Sequence, residues 1–145
     1  MNQHSLETPK QVGLARRLAA MIYDTLLLAA VVFIAAAPTA ALDIEPGSLG
    51  SYLLLLYVLL VAFLFLGWFW THGGQTLGMK TWRLRLERMD GTSIDWYDAG
   101  LRFATAMLSW AALGLGFVWS VFHPERLAWH DIASRTRLVR VPKGT

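Results

Sequence analysis

An all-α integral membrane protein is what this chain encodes: two transmembrane helices plus a third apolar segment, with a small cytoplasmic β element. Three observations predict it. Hydrophobic residues make up 55% of the 145 positions and charged residues only 16%, too apolar for a soluble domain of this size. Two runs of about twenty apolar residues are long enough to cross a bilayer. The thirteen Lys and Arg, which give a formal charge of +3, flank apolar runs, where positive charge sets membrane orientation. That reading makes nucleic acid an unneeded partner. The chain has no cysteine, which excludes disulfides, thiolate metal sites and cysteine nucleophiles.

Residues 1–12 are polar, contain Pro9 and show no apolar period, as expected of a flexible cytoplasmic leader. The first span covers about residues 14–37, with twenty residues from Leu18 to Ala37 whose only charge is Asp24. Arg16 and Arg17 before an apolar run resemble the start of a signal peptide. The run is too long for that and carries an aspartate, so a retained anchor is expected. Pro38 ends the helix. Pro46, Gly47 and Gly50 then mark a loop holding Asp43 and Glu45 but no Lys or Arg, which should face outward. The second span, about residues 51–71, is uncharged and closes on Trp68, Phe69 and Trp70.

A polar stretch follows from His72 to Asp98. Trp82, Leu84 and Leu86 alternate with Arg83, Arg85 and Glu87, and Asp90-Gly91 is a tight-turn pair, so a short hairpin on the membrane surface is expected. A second alternation around Thr136, Leu138 and Val139 can pair with the first if both lie on one side. The third apolar segment, residues 99–122, is long enough for one crossing, but basic residues precede it (Lys80 to Arg88) and follow it (Arg126 to Lys143). The positive-inside rule wants both in the cytoplasm. Gly114 and Gly116 lie where a helix is easily broken, so a re-entrant helix pair is preferred to a single span. Residues 141–145 read as a tail.

Arg17 and Asp24 are seven residues apart, two helical turns, and share a stripe with Ala20. A carboxylate within a span costs about 3 kcal/mol and needs a donor. Arg102 and Asp131 are the best further members, which suggests a two-Arg, two-Asp cluster. One reading makes it a structural ion-pair network. The other makes Asp24 an ion or proton site, and for Asp24 both stay open. His130 reads as an interfacial polar histidine, as do His72 and His123, and most of the seven tryptophans as an aromatic belt. No histidine pair has metal-ligand spacing and no nucleophile, base and orienting group stand together, so no metal, no cofactor and no enzyme are expected.

The motifs RRLAAMIYD, GGQTLGMK and WHDIASRTRLV stand in an order and spacing that resembles the RDD family of membrane proteins, over residues 13–139. The family is named for one arginine and two aspartates, and the resemblance sets these on Arg17, Asp24 and Asp131. It also assigns family positions to the turn Gly74, Gln75, Thr76 and Gly78, and to Lys80, Gly91 and Arg102. Ser134-Arg135 departs from the pattern, because members often have a glycine there. What the resemblance implies about activity is limited to sodium and proton transport, suggested for some members.

Two functions are therefore expected: a small cation or proton transporter working as an oligomer through Asp24, or a non-catalytic membrane module that binds or assembles a membrane protein partner. Anionic lipid head groups suit Lys80 to Arg88 and Arg135 to Lys143 in either case. The expected location is a prokaryotic inner membrane, multi-pass, with both termini cytoplasmic.

Overall fold

The structure, a computed structural model, describes residues 12–125 and 127–142. Helix α1 (Leu14–Ala36) starts after Gly13 and continues for 23 residues, about 34 Å. Its end is set by Pro38, which has no amide hydrogen to donate into the helix and falls in the first turn of a 3-10 segment, Ala37–Ala41. After a short loop, Ser48 caps α2 (Leu49–Thr71), its hydroxyl accepting from the Ser51 amide at 3.3 Å. α2 packs back on α1, and the Tyr57 hydroxyl donates to the Ala35 carbonyl at 3.1 Å. Only 6% of the most apolar stretch of either helix is buried within the molecule. Leu26, Phe33, Leu53 and Leu56 stand exposed on them, so hydrocarbon must be the solvent for these surfaces.

The chain then turns through Gly73 and Gly74, both with positive φ, into the short helix α3 (Leu77–Thr81) and the strand β1 (Leu84–Arg88). β1 pairs antiparallel with the C-terminal strand β2 (Thr136–Arg140), Leu84 opposite Arg140 and Arg88 opposite Thr136. The long-range pairing expected from the two alternations is thus present. The local hairpin is not. Asp90-Gly91 does make a turn, with the Gly91 amide donating to the Arg88 carbonyl at 2.9 Å, but a helix follows in place of a second strand. The reason is a capping box: Asp95 accepts from the Asp98 amide at 2.9 Å and Asp98 accepts from the Asp95 amide at 3.2 Å, starting α4 (Trp96–Ala111).

α4 and α5 (Leu115–Phe122) form a pair bent by 100°. The break lies where Leu113 and Gly114 take φ values of 58° and 78°. Gly116, expected to share in the break, instead lies within α5, where an added Cβ would clash with Ser109 and the Trp129 ring. β1 and β2 are hydrogen-bonded neighbours, so the two ends of the segment between them lie close together. By length and composition the bent pair is a broken span or a re-entrant pair.

α6 (Trp129–Ser134) joins α5 to β2. The core gathers at the end of the long helices capped by these short elements: Ala20, Trp70, Met79, Leu84, Leu86, Ile94 and Ala99, with Val12. Val12 is buried, so the expected loose leader is packed by that residue, while residues 1–11 lie outside the described residues. The expected tail is likewise ordered at its start, the Val141 amide donating to the Arg83 carbonyl at 2.8 Å; residues 143–145 lie outside the described residues. Trp70, expected in the aromatic belt, is buried, whereas Trp68, Trp82, Trp96 and Trp119 are exposed.

Candidate functional site

The helical period of α1 puts Arg17, Ala20 and Asp24 on one side, facing α3 and α6. The expected single cluster of two arginines and two aspartates is resolved into two constellations. In the first, Asp131 is clamped from both sides. Arg17 Nη1 donates to Oδ2 at 3.3 Å and Arg102 Nη1 donates to Oδ1. The Ala128 amide also donates to Oδ2, at 3.1 Å, and Arg102 Nη1 reaches Thr136 Oγ1 at 3.2 Å. Asp131 is 0% exposed, Arg102 4% and Arg17 8%. The clamp therefore joins α1, α4, α6 and β2 at a buried point.

Burial works against the Asp131 carboxylate, but the positive charge around it, led by Arg102, outweighs burial and holds its pKa at about 2. Next to it, burial and then the Arg102 and Arg17 guanidiniums push the His130 imidazole down to about 3, against the pull of Asp131. His130 is thus a buried neutral residue packed on Phe117 at 5.0 Å between ring centroids, and the expectation of an interfacial histidine is corrected.

The second constellation holds Asp24 without arginine. Its hydrogen bonds come from the Thr76 hydroxyl to Oδ2 and from the Gly78 amide to Oδ1, the latter at 2.9 Å. Thr76 also caps α3, accepting from the Met79 amide at 3.2 Å. Gly78 is required for this approach, since a Cβ there would press on the Ala20 carbonyl and stand 2.9 Å from Asp24 Cγ. Gly74 and Gln75 serve the other side of the same turn. The Gly74 carbonyl accepts from the Leu86 amide at 2.7 Å, and Gln75 Nε2 donates to the Leu84 carbonyl at 2.7 Å, so together they cover the edge of β1 that β2 leaves open. Lys80 is exposed in the last turn of α3, and its amide donates to the Thr76 carbonyl at 2.9 Å.

Both constellations border one cavity of about 220 Å³, enclosed by α1, α2 and the bent pair. Its wall includes Arg17, Asp24, Thr76, Arg102 and His130 among many apolar side chains. The RDD family model matches residues 11–135. The chain belongs to the RDD family. This RDD chain has no match among the curated proteins and none among the solved structures. The three residues singled out by the resemblance divide in space: Arg17 and Asp131 meet in the clamp, and Asp24 sits apart on Thr76 and Gly78.

Sequence reasoning missed one further group in this RDD chain. Arg88 bonds to Asp98 through Nε at 2.6 Å and to Asp95 through Nη2 at 2.8 Å, tying the end of β1 to the start of α4. The capping pattern Asp95 to Asp98 was the signal that could have found it. Among the described residues no group of three or more His, Asp or Glu is placed to hold a metal ion.

Proposed function

We propose that this RDD protein moves protons or monovalent cations across the membrane, with Asp24 as the carboxylate that binds and releases the transported charge. The observation that carries the reading is the contrast between the two aspartates. Asp131 is sealed between two guanidiniums. Asp24 is only partly buried, is held by neutral donors and borders the cavity between the helices. A carboxylate without a fixed countercharge in an apolar wall is where a cation or proton is most favoured. Two long helices and a bent pair enclose too little space for a complete pathway, so the working form is an oligomer. Small residues Ala19, Ala29 and Ala30 on α1 permit close helix approach.

The basic residues of β1 and β2, with Lys80, mark the cytoplasmic side, and the loop with Asp43 and Glu45 the outer side. The membrane is then the inner membrane of a prokaryotic cell, and anionic head groups meet Arg83 and Arg85. In reconstituted vesicles an imposed pH gradient should drive cation flux that Asp24→Asn abolishes while the protein stays folded. Wild-type vesicles without flux would remove the proposal.

The buried clamp favours a second reading, a non-catalytic module in which the arginines and Asp131 fix a scaffold for another membrane protein. A stoichiometric partner crosslinked in native membranes would support it, and full activity of pure protein would count against it.

A further inference from the structure

The two edges of the small sheet are finished differently. The Leu86 amide donates to the Gly74 carbonyl, so the backbone of Leu86 points away from β2. The pairs that exchange hydrogen bonds across the sheet are therefore Arg85 with Val139 and Glu87 with Arg137. The flanking bonds keep the same alternation: the Val141 amide reaches the Arg83 carbonyl, and the Met89 amide the Arg135 carbonyl. It follows that Thr136, Leu138 and Arg140 turn their N–H and C=O groups to the far side of β2. Gly74 and Gln75 cover the outer edge of β1. On the outer edge of β2, no hydrogen bond is made to the backbone of Leu138 or Arg140 among the described residues. Arg140 is exposed and Leu138 partly so. An open edge of this kind is a template for a further strand.

The edge itself decides which strand fits. Thr136 is 0% exposed, which takes it out of any pairing, and Pro142 has no amide hydrogen to donate. Only Leu138 and Arg140 can exchange bonds with a neighbour. A second copy of β2 can meet them antiparallel, through a two-fold axis, in a small set of registers. Centred on Arg137 or Leu138, the pairing calls on the buried Thr136. Centred on Arg140, it sets two arginines face to face and leaves Leu138 against Pro142. Centred on Val139, it places Leu138 opposite Arg140 on both sides of the axis and satisfies the N–H and C=O of both residues in each copy. That register sets Arg137 opposite Val141 and puts no like charges directly opposite.

We propose that two copies of this chain join through their β2 edges in the register centred on Val139, making one continuous sheet ordered β1-β2-β2-β1. The self-match of the edge is what favours a second copy over a strand of another protein. This contact gives the oligomer of the transport reading an interface, and it does not rest on transport through Asp24.

Because the chain has no cysteine, single introduced cysteines report such a contact directly. Val139 would face its own copy at a site that exchanges no hydrogen bonds, where Cα atoms stand about 4.5 Å apart, within disulfide range. Purified Val139→Cys, reconstituted at high dilution in lipid vesicles and oxidised with copper phenanthroline, should turn mostly into a disulfide-linked dimer. Arg85→Cys lies on the same face of the sheet but three strand spacings from its copy, about 14 Å, and should link roughly tenfold more slowly or less. Arg140→Pro, added to Val139→Cys, removes an outward amide from each copy and no bond to β1, since Arg140 stands opposite Leu84 at a site without exchange. Linking should again slow roughly tenfold. Val139→Cys linking no faster than Arg85→Cys would overturn the proposal, as would undiminished linking in a folded Arg140→Pro protein. The comparison of the two cysteine variants decides the matter if the proline variant does not fold. No flux is measured, so either result leaves the transport reading untouched.

Discussion

Arg135 ends α6 in the left-handed region, at φ 53°. A side chain there crowds its own backbone, which is why a glycine suits the position. Arg135→Gly should therefore raise stability by roughly 0.5–1 kcal/mol, seen as an upward shift of about 1–4 °C in thermal unfolding. A lower midpoint would mean that the arginine side chain contributes more than its backbone strain costs. His130 gives a second expectation. Its folded pKa of about 3 lies below the value near 6.5 expected when unfolded, so the unfolded chain takes up the proton first. The stability linked to neutral His130 is complete above pH 6.5 and is lost as pH falls toward 3. Asp131, held at about 2, stays ionised through that window and adds loss only below about pH 4. Unfolding midpoints of the wild type should drop between pH 7 and 5, and those of His130→Phe should stay level. His130 was legible as a neighbour of Asp131 but not as buried, because burial there depends on Phe117 from another helix.

The two long helices and the break near Gly114 were readable because each rests on local properties: run length, absence of charge, and residues that end helices. Boundaries agree closely, α1 at Leu14–Ala36 against an expected 14–37 and α2 at Leu49–Thr71 against 51–71. The hairpin failed for a different reason. Its turn is real, but the capping box at Asp95 and Asp98 commits the next residues to helix, and β1 finds its partner some fifty positions later. Alternation reveals a strand and not its neighbour. We propose that this long-range pairing keeps both ends of the bent pair on one side of the bilayer. A reporter enzyme active only outside the cell, fused at Thr145, should be silent; activity would mean that α4 and α5 together cross the bilayer once.

The folded chain holds Asp24 and Asp131 in unlike surroundings. Separation along the sequence hides this, because Arg17 and Asp24 share a stripe of α1 and invite pairing. In three dimensions α6 delivers Asp131 to Arg17, and α3 delivers Thr76 and Gly78 to Asp24. The residue types were legible; which arginine meets which aspartate was not, since it is decided by how α3 and α6 fold over the ends of the long helices. Removing Asp131 leaves two buried guanidiniums without their shared countercharge, a loss of about 3–5 kcal/mol. Removing the charge of Asp24 leaves an amide that can still accept from Thr76 or Gly78. Thermal unfolding of Asp131→Asn and Asp24→Asn, compared with wild type in one detergent, tests this division most directly. The expected result is a midpoint lowered by ten degrees or so, or no cooperative transition, for Asp131→Asn and a change of a few degrees at most for Asp24→Asn. Equal losses in the two variants, or a larger one for Asp24→Asn, would contradict it.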